Sequence, residues 1–102
     1  MTARMTIRRS GSKYVIRSRD SGVQAVFFGW ADNHENPEFY GKQVGGWEGD
    51  LSDWEWRLTK AQVEWLMILI GVGFAEGSYE DADEERDHRY VLRRLLRSRS
   101  RR

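Results

Sequence analysis

The sequence predicts an α+β domain, on three observations. Its first third carries short alternating segments rich in β-branched and aromatic residues, such as KYVIRS from Lys13 to Ser18. Its second half carries two segments of helical character, LTKAQVEWLMILIG and DADEERDHRYVLRRLLR. The strand-like segments precede the helical ones instead of alternating with them, which is the order of an α+β chain and not of a βαβ repeat. The expected architecture is a small antiparallel sheet of three or four strands followed by two helices, the first packed on the sheet.

Taken in order, TIRR (Thr6 to Arg9) reads as a short edge strand before a turn at Gly11. In KYVIRS, Tyr14 and Ile16 share one face, Val15 and Arg17 the other. RDSG (Arg19 to Gly22) holds turn residues, and VQAVFFGW (Val23 to Trp30) follows with the composition of a second strand, so a hairpin is expected here. ADNHENPEFYGKQVGGWEGD is broken by Asn, Asp, Gly and Pro37, and FYGKQV is the part suited to a short strand. At about 20 residues it is long for a connection in a compact domain, which marks it as functional or partly structured. DWEWR (Asp53 to Arg57) returns to alternation, with Trp54 and Trp56 on one face and Glu55 on the other.

The strongest local signal comes next. Thr59 and Gln62 have the spacing of a capping box, with Leu58 and Val63 at the staple positions on either side of the cap. The helix is expected over Lys60 to Ile70, with Gly71 as a left-handed stop. From Trp65 onward it is apolar on every face, so it is buried on several sides or covered by a partner. A second helix is expected from Asp83 to Arg97. Its apolar stripe is Val91, Leu92, Leu95 and Leu96, and Gly77 and Ser78 form the linker before it.

A chain of 102 residues suits one domain, residues 1–102, with 1–5 and 98–102 expected as frayed ends. Five Trp, four Phe and four Tyr supply the burial that a disordered chain lacks. The absence of cysteine excludes disulfides, thiol catalysis and cysteine-ligated zinc. The first residues, MTARMTIRRSGS, hold no continuous apolar stretch, so they do not read as a signal peptide. The longest apolar run, Trp65 to Ile70, falls far short of the roughly 20 residues of a membrane span. A soluble, cytoplasmic protein is the expectation.

Net charge is +1, but it is arranged in blocks. Residues 1–19 carry +6, residues 20–56 −7, residues 57–75 +1, residues 76–87 −6 and residues 88–102 +7. Local fields are therefore strong and the global one nearly nil. Most of the last swing suits a single helix, whose dipole favours acids in its first turn and bases in its last. Arg99, Arg101 and Arg102 lie beyond the apolar stripe. With Arg97 and the N-terminal Arg8 and Arg9 they form a candidate nucleic-acid contact, of the salt-sensitive, phosphate-directed kind. No aromatic residue is interleaved among them for base stacking.

The second candidate is WEGDLSDWEW. Trp47, Trp54 and Trp56 alternate there with Glu48, Asp50, Asp53 and Glu55, and indole faces beside carboxylates suit a cationic group on a protein partner. The competing reading of Trp54 and Trp56 is burial on the sheet face under the Thr59 helix. DNHENPE surrounds His34 with carboxylates, yet without metal-ligand spacing. No nucleophile motif or nucleotide-binding loop is present. No cofactor, metal or membrane partner is expected. The composite reading is a non-catalytic protein-interaction module, a small regulatory, adaptor or inhibitor protein recognising a charged protein surface or assembling with itself. A nucleic-acid-associated accessory protein is the alternative, and an enzyme centred on His34 a distant third.

Overall fold

A turn at Gly11 joins β1 (Thr6–Ser10) to β2 (Lys13–Ser18), and Ile7 pairs with Ile16 across this hairpin. The computed structural model describes residues 4–34, 41–48 and 51–100. Its remaining elements are α1 (Ser21–His34), β3 (Lys42–Glu48), β4 (Leu51–Thr59), α2 (Lys60–Glu76) and α3 (Ala82–Ser100). The described strands form one antiparallel sheet in the order β1-β2-β4-β3, an α+β arrangement.

VQAVFFGW is helix and not strand. It lies within α1, which is inserted between β2 and β3, so the described residues contain three helices instead of two. The RDSG segment holds the start of this helix. Asp20 Oδ1 accepts from Val23 N at 3.0 Å, and Gln24 N donates to Asp20 O at 3.0 Å. Val23, Val26, Phe27 and Ala31 are buried at helical spacing. Their β propensity yields to this burial, because β4 and not VQAVFFGW pairs with β2. Gln24 then ties the helix to the sheet, its side-chain amide donating to Ser18 O (3.0 Å) and Ser52 O (2.8 Å).

One face of the sheet carries the core. Tyr14, Ile16, Trp56 and Leu58 meet Val23, Val26, Phe27 and Ala31 of α1, and Val63, Leu66, Met67 and Ile70 of α2 join the same cluster. From α3 come Val91 and Leu95, while Leu92 is half-buried and Leu96 exposed, so the expected stripe narrows to two residues at its centre. Trp56 stacks on Phe27 with ring centroids 4.3 Å apart, and Phe28 meets Trp54 edge-on at 5.0 Å.

The capping box of α2 forms as read. Gln62 N donates to Thr59 Oγ1 (3.1 Å) and Thr59 N to Gln62 Oε1 (2.8 Å), while Leu58 and Val63 beside it are both buried. Thr59→Ala is expected to lower stability by about 1 kcal/mol, read from the denaturant midpoint, because the Gln62 N–H loses its acceptor. An unchanged midpoint would remove Thr59 as the cap. Gly71 does not end the helix. The chain stays helical to Glu76 and leaves at Gly77, whose φ of 66° is the left-handed conformation that glycine adopts without strain. Ser78 N donates to Gly73 O and Gly77 N to Phe74 O, closing the last turn.

The N-terminal segment is not frayed at Arg4 and Met5. Met5 is in the core. The Arg4 guanidinium forks onto both Asp20 oxygens (2.9 and 3.0 Å) and reaches Asp87 Oδ1 at 2.5 Å, joining the cap of α1 to the second turn of α3. This bond to Arg4 is the main reason the Asp20 carboxyl titrates below its ordinary 3.8. Its stabilisation is therefore present above that value and is lost as pH falls below it. Arg94 donates to Met5 O at 3.1 Å. At the other end α3 continues to Ser100, past the expected limit at Arg97, and Arg99 pairs with Glu64 of α2 at 3.1 Å. No described helix is long and apolar enough to cross a membrane.

Candidate functional site

Of the tryptophans singled out in WEGDLSDWEW, the structure describes the side chains of Trp54 and Trp56, both on the core side of the sheet. Trp56 is fully buried and Trp54 half-buried beneath α1, since alternate residues of β4 point into the core and both indoles fall on that side. Asp53 faces the opposite side of the sheet and pairs with Arg17 at 3.5 Å. Asp50 and the side chains of Trp47, Glu48 and His34 lie outside the described residues.

The arginines divide in the same way. Arg8 and Arg9 alternate across β1. Arg8 is on the open face of the sheet, while Arg9 lies over the Tyr14 ring, 4.4 Å from its centroid, on the core side. Arg97 and Arg99 are exposed on α3 in the helical layer, across the sheet from Arg8. Arg101 and Arg102 lie outside the described residues.

What the fold does bring together is a groove of about 750 Å³ between α1, α2 and the start of α3. On α1 the residues facing it are Gly22, Ala25, Val26, Gly29 and Trp30, most of them small. Asp81 Oδ1 caps α3 by accepting from Glu84 N at 2.7 Å, which aims the acidic first turn of that helix along the rim. Four rings form a continuous run. Trp30 meets His88 edge-on at 6.5 Å, His88 lies 4.2 Å from Tyr79, and Tyr79 is 4.8 Å from Phe74. Tyr79 is anchored by donating to Ile70 O at 2.9 Å. It fits because residue 73 is glycine: a Cβ there would stand 2.5 Å from the Tyr79 hydroxyl oxygen.

Five carboxylates border the groove, Glu76, Asp81, Asp83, Glu84 and Asp87. Asp83 is paired with Arg86, and Asp87 with Arg4. No described residue is paired with the carboxylate of Glu76 or Glu84. His88 Nδ1 is 2.7 Å from Glu84 O, a contact internal to α3. Burial, with a smaller contribution from Glu84, pushes the Tyr79 phenol up to about 12. The folded state therefore holds that proton more tightly than the unfolded chain. Its stabilisation is complete below pH 10 and is expected to be lost as pH rises towards 12. Tyrosinate absorbance should contain a component, lost in Tyr79→Phe, that ionises near 12; its absence would place the Tyr79 hydroxyl in water.

Chemically, the groove offers aromatic walls and negative charge, the setting for a cation carried on an apolar stem. The sequence signal for it was the acidic block 76–87. Its aromatic partner Trp30 gives no such signal, because VQAVFFGW has the composition of a strand. The chain matches no protein-family model, and no curated protein or solved structure is significantly similar to it.

Proposed function

We propose that this protein is a non-catalytic interaction module whose acidic aromatic groove receives a basic segment of a partner protein, within the cytoplasm. One observation carries the reading: the carboxylates of Glu76 and Glu84 have no cationic partner among the described residues and border the groove that holds the Trp30, His88 and Tyr79 rings. An arginine or lysine side chain satisfies both features at once, stem against ring and charge against carboxylate. The tight packing of Tyr79 against Gly73 keeps this wall in place without a ligand, which limits the entropy lost on binding.

The test is titration of a fluorescent arginine-containing peptide into the protein at low salt. Micromolar binding is expected, weakened about tenfold or more in Glu76→Gln/Glu84→Gln, about 1.4 kcal/mol or more of binding free energy. Binding that ignores the double substitution, or none at all, would overturn the reading.

A second reading rests on the open face of the sheet. The register sets Arg8, Val15 and Arg57 in one cross-strand row and Arg17, Glu55 and Lys42 in the next, with Lys13 beyond. All five of those cations are exposed, against Asp53 and Glu55. Val15 is buried between Arg8 and Arg57, whose stems supply apolar cover. This face suits a phosphate backbone better than the terminal arginines do, because its cations share one surface. Duplex binding through it would be independent of sequence, fall steeply with salt and be lost in Arg8→Ala/Arg57→Ala. Retention in that variant would exclude the face.

A further inference from the structure

The sequence leaves α2 apolar on every face beyond Trp65, and the fold buries only one of them. Directly opposite the core, Ala61, Trp65, Ile68, Val72 and Ala75 are all exposed. The three large ones keep 47%, 56% and 44% of their surface in solvent. Their spacing alternates four and three residues, the repeat that keeps one seam of a helix facing a neighbouring helix. No charged residue interrupts the seam. Charge reappears only at its ends, as Lys60 and Glu76, and on its flank, where Glu64 is already held by Arg99.

We propose that this seam packs against the same seam of a second copy of the chain, the two α2 helices antiparallel about a two-fold axis at Ile68. The sequence of sizes along the seam is small, large, large, large, small, and it maps onto itself when reversed. Ala61 then meets Ala75 of the second copy, Trp65 meets Val72, and Ile68 meets Ile68, which is the self-complementarity a two-fold interface requires. Gly71, next to that Val72, leaves room for the indole. Antiparallel packing sets the Lys60 end of one helix beside the Glu76 end of the other and opposes the two helix dipoles, whereas parallel packing brings like charges together.

Half-exposed Trp, Ile and Val amount to roughly 300 Å² of apolar surface per copy, which Ala61 and Ala75 extend. A standard stable interface buries about 800 Å² per partner, so the association is weak, with a dissociation constant on the order of 10 μM. Val72 and Glu76 also border the acidic groove, so the second copy lies along its rim without filling it. The proposal does not depend on the ligand of that groove.

Sedimentation equilibrium from about 1 to about 300 μM tests the association itself, spanning the expected constant on both sides. A monomer–dimer equilibrium is expected, and a monomer throughout would overturn the proposal. Ile68→Lys and Ile68→Glu should each be monomeric with unchanged circular dichroism, and their mixture should dimerise because residue 68 meets itself at the axis. Dimerisation of either variant alone, as tight as the parent, would overturn it too. Orientation is read by cysteine, which the chain lacks. Ala61→Cys mixed with Ala75→Cys should form a disulfide dimer under mild oxidation. Ala61→Cys by itself should not, since its two thiols then lie about 21 Å from each other. Rapid crosslinking of Ala61→Cys by itself would mean parallel helices and would sink the antiparallel geometry.

Discussion

Trp56→Ala is expected to remove about 3–5 kcal/mol of stability. Trp56 is among the largest fully buried side chains, and its ring is stacked on Phe27 and tilted against Phe28 at 6.0 Å. It is also where the second β strand of the core face, through Ile16, meets β4. Truncation leaves a cavity bounded by a helix and a sheet that cannot close on each other without breaking the Gln24 bonds to Ser18 and Ser52. Against a total of about 5–15 kcal/mol for a domain, such a loss leaves the variant marginal. Urea unfolding measures it directly. A change below about 1 kcal/mol would mean that α1 does not pack on the sheet through this residue.

Leu66→Ala is expected to cost about 2–5 kcal/mol, while Ile68→Ala, two positions along the same helix, should change monomer stability by no more than about 0.5 kcal/mol. Leu66 is wholly buried in the core cluster and Ile68 is more than half exposed, so the pair isolates burial from helix propensity and from composition. Measured at a protein concentration below the dimerisation range, equal costs at the two sites would show α2 rotated about its axis relative to the sheet. That result would also remove the exposed seam on which self-association depends. The reverse ordering would do the same.

Local chemistry made some elements readable in advance. The Thr59–Gln62 capping box depends on residues three apart in sequence, and it forms as read. The alternation in KYVIRS and DWEWR likewise gives the faces seen in the sheet, with Tyr14, Ile16 and Trp56 inward and Arg17 and Arg57 outward. The end of α2 is not legible locally, because Gly71, Gly73 and Gly77 all offer a stop. Gly71 sits inside a helix that is anchored on either side of it, by Ile70 to the core and by Gly73 to Tyr79. Only Gly77 is free to take the positive φ that ends it. The groove could not be read as a site. Trp30 and His88 are 58 positions apart, and Glu76 lies on a third element, so only the packing of three helices brings them to one rim.

Local sequence set the α+β class, the alternation of KYVIRS and DWEWR, the start of α2 and the block pattern of charge. Those follow from propensity, periodicity and caps, which act over a few neighbouring residues. VQAVFFGW shows where that range ends. Its Val and Phe residues suit a strand by composition, and they also recur at the spacing of a helical stripe, so both readings satisfy the local rules. Tertiary structure decided between them. β2 pairs with β4 and leaves no partner for another strand there, while the core face of the sheet needed a covering layer that Val23, Val26, Phe27 and Ala31 supply as a helix. The same decision buried Trp56, opened the acidic groove beside Trp30 and left the Trp65–Ile68–Val72 seam in water, because burial is a property of the packed whole and not of any segment within it.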